Sequence, residues 1–435
     1  MSASMIGLLG FVAMFVMIMI GVPVFVSMLT VALVGIWVVA GPNMVWMQFT
    51  QSPINTAASF NYAVLPLFML LGTLAGESGI AGGALRCMRK WLGKSRGGIL
   101  MAIVGANAVF GACSGISVAG SIVFGKMALP DLKEQGYDES LSLGVIVSAG
   151  TLGVLIPPST AVMMYCIMTG ISIGTALMCG IGPAIVMIFL FWLTLKVIAK
   201  LRPLKIPAPS EEDRNVTWKE KLQTLKLLIP IFLLFALIIG GAFFGWFAAT
   251  VGGAIGATAV TVYAIFKRIP VKKIAKTFWE ASTMNAGIFP IIVAGTILGR
   301  FVALTRLPET LLHAVTSANL NPILVYLLVM LFYVFCGCIM DLISIIIITV
   351  PITFPLLTGI GINPYVVCTA MTFMIEIAGM TPPVGMNVFA VSNALQIDAG
   401  RIFRGIPLFF VIEALLVILI AVFPQICLFI PNALG

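Results

Sequence analysis

GTLGVLIPPST, residues 150–160, and GMTPPVGMNVF, residues 379–389, each set two consecutive prolines in an apolar run of membrane length. The pairs Pro157-Pro158 and Pro382-Pro383 stand 225 residues apart in a chain of 435. A proline inside a helix removes a backbone donor and clashes with the preceding turn. Two in succession at membrane depth therefore break a helix, and a bilayer tolerates broken backbone only where it is buried in protein or lines a cavity. Matched interruptions in the two halves of a hydrophobic chain point to the binding site of a secondary transporter.

Working outward, the chain is 61% apolar and 9% charged, and its first charged residue is Glu77. That composition excludes a soluble globule and describes a polytopic membrane protein. No basic n-region precedes the first apolar run and no small-residue cleavage site follows it, so no signal peptide is expected. The net charge of +9 does not imply nucleic acid, because the 24 Lys and Arg gather in a few loops and so report topology. Eight cysteines include Cys336-x-Cys338, but the single histidine, His313, is distant, and the cysteines read as small buried apolar residues. Gly93-Lys94-Ser95 looks like the tail of a P-loop but lacks the upstream glycine, Met88 standing there. HExxH is absent too, so the chain is read as no enzyme, with no catalytic residue and no cofactor.

Basic clusters at Arg86–Arg96, Lys196–Lys226 and Lys267–Lys276 are assigned to the cytoplasm, and the uncharged loop 42–62 to the outside. Span 97–125 joins two cytoplasmic stretches yet has a Gly/Ser-rich centre, GACSGISVAG, which predicts a re-entrant hairpin. A second hairpin is expected over 322–357 around GCIMD, entering from the other side. Crossings are expected at 5–21, 24–41, 63–76, 140–170 and 172–195, then at 222–240, 243–266, 282–300, 364–395 and 405–431. The proline pairs break 140–170 and 364–395. Both termini are then periplasmic. The offset of 225 also superposes Leu129-Pro130-x-Leu132 on Phe354-Pro355-x-Leu357 and Gly136 on Gly361, while Gly72-Thr73 matches Gly295-Thr296 at 223. An internal repeat follows: residues 1–199 and 222–435, inverted because each half has five crossings, joined by a solvated cytoplasmic linker, 200–221. The expected fold is an all-α polytopic membrane protein, an inverted-topology repeat with two re-entrant hairpins and two broken transmembrane helices.

Unwound segments between half-helices offer a positive dipole end to a carboxylate and free carbonyls to a hard cation. Candidate ligands are Ser114, Gly115 and Ser117 at the first tip, with Gly153, Pro157, Pro158 and Ser159 at the first break. Gly337 and Asp341 supply the second tip, and Thr381, Pro382, Pro383 and Gly385 the second break. Na⁺ is placed near Ser114, Ser159, Asp341 and Thr381, mostly on backbone carbonyls, with proton coupling as the rival. Asp341 reads equally as a helix cap and a coupling-ion ligand. Glu376, one turn before the second break, is available to titrate or to bond loose backbone. Glu413 is read as a packing partner and Arg300 as a snorkelling helix end.

The run LFMLLGTLAGESGIAGGALRCMRKWLGKSRGGILMAIVGANAVFGACSG, with GYDES, IPPS and ISIG, and in the second half GCIMD, ITVPITFPLL, GINP and MTPPVGMNVF, resembles the large membrane subunit of tripartite ATP-independent periplasmic (TRAP) transporters. The resemblance covers nearly the whole chain. It implies an elevator-type secondary transporter in a bacterial or archaeal cytoplasmic membrane. Its partners would be a separate small four-helix membrane subunit, a periplasmic substrate-binding protein, a small organic anion and membrane lipid. Na⁺ is the usual coupling ion of that family. A stand-alone inverted-repeat ion or organic-anion transporter, symporter or antiporter, is the alternative. The first tip, Ser114-Gly-Ile-Ser-Val-Ala-Gly120, lacks the family's carboxylate, and Glu376 stands where asparagine is frequent.

Overall fold

The computed structural model describes residues 2–434, with the backbone alone at Phe243, Ala249 and Leu434. The described residues are helical throughout, without a strand. Apolar residues rich in Leu, Ile, Met and Val fill the helices, and short polar residues fix their starts. Asp138 accepts from the Leu141 N–H at 2.8 Å, and Asn321 and Asn363 each accept from the amide two residues on at 2.9 Å, satisfying donors that a helix start leaves free.

The first half runs α1 (Ala3–Met19), α2 (Val24–Ala40), α3 (Pro42–Ala58), α4 (Val64–Glu77), α5 (Ile80–Leu92), α6 (Gly98–Ser114) and α7 (Ser117–Glu134). The first broken helix follows as α8 (Glu139–Gly150), the single turn α9 (Leu152–Leu155) and α10 (Thr160–Thr169), then α11 (Ile173–Cys179) and α12 (Ile181–Leu201). The connector holds α13 (Glu211–Arg214) and α14 (Trp218–Leu225). Beyond it lie α15 (Ile229–Phe235), which passes through a π turn at Ala236–Gly240 into α16 (Gly241–Phe243), then α17 (Ala249–Phe266), α18 (Val271–Thr305) and α19 (Leu307–Ser317). The second hairpin is α20 (Pro322–Gly337) and α21 (Leu342–Gly359), and the second broken helix α22 (Pro364–Ala378) and α23 (Met386–Leu395). α24 (Ala399–Gly405), α25 (Pro407–Val422) and α26 (Gln425–Leu434) complete the chain. One order of elements thus occurs twice: a long helix, a short helix, a hairpin, a helix interrupted at a proline pair, and a short helix leading into a long one.

Among the described residues, six helices are long and apolar enough to cross a membrane, seven if the pair α24 and α25, bent by 52°, counts as one. Several helices differ from the sequence reading. The outward loop 42–62 is largely α3, whose Gln48, Ser52 and Thr56 are buried, because Ser52 donates to Gln48 at 3.2 Å and the polar face packs toward α18. The crossing at 282–300 is the middle of the 35-residue α18, since nothing between Lys276 and Ala281 breaks the helix. The final crossing divides at Phe423 and Pro424 into α25 and α26.

The connector is also not a solvated tether. Asp213 is buried and receives Arg89 Nε at 2.9 Å and Nη2 at 3.2 Å, while Ser210 donates to it at 2.7 Å. Arg89 Nη1 also reaches Asp131 of α7 at 2.8 Å. Lys90 pairs with Glu220 at 3.3 Å, Trp91 donates to the Lys221 carbonyl at 3.2 Å, and Arg96 holds the carbonyls of Ile206 and Pro203. The basic residues that mark topology in the sequence are therefore the clamps that dock the connector onto α5. Burial opposes ionisation of Asp213, and the Arg89 guanidinium with the Ser210 hydroxyl outweighs it, holding the carboxyl below the usual carboxylate range. Such a group stabilises fully above its ordinary pKa and loses its effect as pH falls through the depressed value.

Charge-assisted bonds contribute about 1.5–3 kcal/mol each. We expect Arg89→Ala to release residues 200–221 at neutral pH, read as faster tryptic cleavage at Lys205 and Arg214 in detergent, whereas the wild-type connector loosens only in strong acid.

Candidate substrate and ion site

Both proline pairs interrupt their helices and both are cis. At the first break α9 ends at Leu155, Ile156 is extended, and Ser159 restarts the chain by accepting from the Val162 N–H. At the second, α22 ends at Ala378, a turn carries Met380 and Thr381, and Gly385, in the left-handed region at φ 58°, restarts it.

Each hairpin tip sits on the break of its own half. Gly115 turns the chain between α6 and α7 at φ 61°, and a Cβ there would run into the Pro158 carbonyl. Its own carbonyl accepts from the Thr160 hydroxyl at 3.3 Å. From behind, Gly72 of α4 lies so close to the Ser114 carbonyl that no side chain fits between them. In the second half Cys338 does this work: its Sγ lies 3.0 Å from Thr381 Oγ1 and donates to the Pro382 carbonyl at 3.1 Å.

The two tip-and-break pairs face each other across a cavity of about 310 Å³. Its walls include the starts of four helices: Ser117 and Val118 of α7, Thr160 and Ala161 of α10, Leu342 and Ile343 of α21, and Met386 and Asn387 of α23. Helix starts carry partial positive charge and free amides. Two are occupied. Ser159 caps α10, and Asp341 caps α21, accepting from the Ser344 amide at 3.1 Å and from the Ser344 hydroxyl. The starts of α7 and α23 have no side-chain cap. The two acidic residues in the wall are Asp341 and Glu376, and the lining holds no Lys, Arg or His. Glu376 is buried and accepts from Asn387 Nδ2 at 2.6 Å, and Ser117 of the opposite half lines the same cavity.

The structure brings Gly115, Ser117, Asp341 and Glu376 to the cavity wall and places the other candidates behind it. Of the hydroxyls expected near Na⁺, Ser159 caps α10 and Thr381 donates to the Ala378 carbonyl at 2.7 Å, and neither lines the cavity. Ser114 is buried, and its hydroxyl has no hydrogen-bond partner among the described residues. Gly153 packs on Gly111, Gly337 packs on Ala378, and Gly385 packs near the Phe403 ring. Pro157 and Pro158 shape the wall from inside the protein, and Pro382 and Pro383 shape it from an exposed turn. Sequence reasoning missed Asn387 and Cys338. The signal for Asn387 was present, as an amide two residues into the helix after the break. Cys338 looked like one more apolar residue.

A helical protein crossing the membrane several times, with a cavity walled by two hairpin tips and two broken helices, is a transport protein. The family model described as the DctM component of the tripartite ATP-independent periplasmic transporter matches residues 11–426, and the chain belongs to that family, the large transmembrane subunits of TRAP transporters. It is therefore a multi-pass inner-membrane protein and a transport subunit, not an enzyme. Over 383 residues it is 27% identical to the C4-dicarboxylate TRAP transporter large permease protein of Pseudomonas aeruginosa, covering 88% of each chain. It is 26% identical to the ectoine/5-hydroxyectoine large permease of Ruegeria pomeroyi, covering 84% of this chain and 85% of that one. It is likewise 26% identical to the sialic acid large permease of Vibrio cholerae, covering 88% of each. Among solved structures, the Alcanivorax borkumensis YdaH transporter matches with a TM-score of 0.62 at 14% identity, covering 88% of this chain and 90% of that one, which shows likeness of fold.

A left-handed backbone costs a non-glycine residue roughly 1–2 kcal/mol, and at Gly115 the collision with Pro158 adds to it. Gly115→Ala should therefore lower the thermal midpoint of the purified protein and abolish uptake while leaving membrane insertion intact. An unchanged midpoint would show that the tip does not sit on the break.

Proposed function

We propose that this chain is the translocating subunit of a binding-protein-dependent secondary transporter that imports a small organic anion together with Na⁺. The observation that carries the reading is the charge of the cavity wall: two carboxylates, no cationic side chain, and two helix starts without side-chain caps. An anion entering there meets amide dipoles at α7 and α23 but also Asp341 and Glu376. It binds with net attraction only if cations enter with it, and that obligation is coupling. Chain ends near the tips supply the hard oxygen ligands Na⁺ prefers, the carbonyls closing α6 and α22, and the orphaned Ser114 hydroxyl fits such an ion.

The substrates named for the relatives, C4-dicarboxylates, ectoines and sialic acid, all carry a carboxylate, and we assign this chain to that class. A separate small four-helix subunit and a periplasmic binding protein complete the transporter. The repeated order of elements supports two repeats of opposite orientation with both chain ends in the periplasm. Hairpins and broken helices form the part that travels, elevator fashion, and α1–α4 with α17 and α18 form the part that stays.

In proteoliposomes holding this chain, the small subunit and the binding protein, uptake of a carboxylate should require an inward Na⁺ gradient. Asp341→Asn, Glu376→Gln and replacement of Pro382-Pro383 by alanine should each lower it at least tenfold, about 1.4 kcal/mol, with insertion unchanged. Wild-type flux in these variants would refute the assignment of the site, and uptake by this chain alone would select a stand-alone transporter.

A further inference from the structure

One ionisable group lies deep in the protein outside the cavity. Glu413, in the middle of α25, is 0% exposed. Its Oε1 is 2.7 Å from Thr151 Oγ1, in the bend where α8 gives way to α9 just before the first proline pair. Its Oε2 has no hydrogen-bond partner among the described residues, nor has the buried hydroxyl of Ser148, one turn earlier in α8.

The Thr151 hydroxyl has a single proton and two neighbours, both at 2.7 Å: Glu413 Oε1 and the Ser148 carbonyl. The carbonyl can only accept. If Thr151 gives its proton to Glu413, an oxygen and a carbonyl are left in contact at 2.7 Å with no hydrogen between them. If Thr151 gives it to Ser148, the contact with Glu413 requires a proton on the glutamate. The second arrangement satisfies both contacts.

Surroundings agree with it. The elements packed on α25 are α8, α12, α20, α22, α24 and α26. Their titratable groups are Glu139 (α8), Lys196 and Lys200 (α12), Tyr326, Tyr333 and Cys336 (α20), Tyr365, Cys368 and Glu376 (α22), Arg401 and Arg404 (α24) and Cys427 (α26). All four cations are exposed, and Arg401 is paired with Glu139 at 3.2 Å. Tyr326 gives its hydroxyl to the Val417 carbonyl. A buried carboxyl group with one oxygen unbonded and no cation beside it holds a proton in preference to a charge. Glu376, by contrast, accepts from the Asn387 amide.

We propose that Glu413 and Thr151 form a proton-binding site behind the first break, separate from the substrate cavity, in which Glu413 carries the proton and donates it to Thr151. Removing that proton leaves Thr151 one hydrogen for two acceptors, Glu413 and the Ser148 carbonyl, so one of the two 2.7 Å contacts at the break is lost. Rising pH therefore disables the protein through this residue.

Infrared difference spectroscopy of the reconstituted protein reads the proton directly. Wild type should show the carbonyl stretch of a buried carboxylic acid, sensitive to deuterium exchange. The band should be absent in Glu413→Gln and kept in Glu376→Gln. Carboxylate uptake by the assembled transporter in proteoliposomes should fall at alkaline pH in wild type, with that limb absent in Glu413→Gln. Should Glu413→Gln fail to fold, Thr151→Val should keep the band and move it to higher wavenumber, the donated bond being lost. Absence of the band in wild type, its survival in Glu413→Gln, an unmoved band in Thr151→Val, or equal alkaline losses in wild type and Glu413→Gln would each overturn the proposal.

Discussion

Irregular backbone inside a bilayer must find its hydrogen bonds within the protein, because hydrocarbon offers none. This constraint organises the molecule. Each break leaves backbone donors and acceptors that a continuous helix would have used, and the tip of the hairpin coded just before it meets some of them. The first half answers with backbone, Gly115 closing on Pro158 and accepting from Thr160. The second half answers with a side chain, the Cys338 thiol between Thr381 and the Pro382 carbonyl. The cavity exists because two such closures, neither of which fills the space in front of it, stand opposite each other.

The two walls are chemically different. Asp341 and Glu376 both come from the second half, while the first contributes Gly115, Ile116, Ser117, Val118, Val154, Thr160 and Ala161 without a charge. Meanwhile the first half is where Glu413 makes its bond, to Thr151, although Glu413 itself is coded in the second. Each half thus supplies something to the other: α25 closes over the first break, and Ser117 of the first half lines the same cavity as Glu376 of the second.

Much of this was legible in the sequence, for a physical reason. Proline pairs and glycines act on the backbone at their own position, so the breaks at 156–159 and 379–385 and the hairpin turn at Gly115 can be read locally. Charge-free length likewise locates spans. What could not be read depends on partners distant in the chain. Residues 42–58 look like an uncharged loop until α18 covers one polar face. The basic residues Arg89, Lys90 and Arg96 look like topology markers until residues 203–221 come to lie on them. Ser159 and Thr381 carry the right chemistry for an ion, and only the folded chain shows their hydroxyls turned to Val162 and Ala378. Glu413, which reads as a packing residue, differs from one only by its contact with Thr151, 262 positions away.

The Arg89 guanidinium holds Asp213 of the connector with two nitrogens and Asp131 of α7 with the third. Three segments far apart in the chain are thereby riveted at one point, on the outer end of the first hairpin. The connector has no slack to give there. The 2.8 Å bond to Asp131 ties that hairpin to α5, remote from the cavity, so the register of the first hairpin against α5 is fixed by the same side chain that docks the connector.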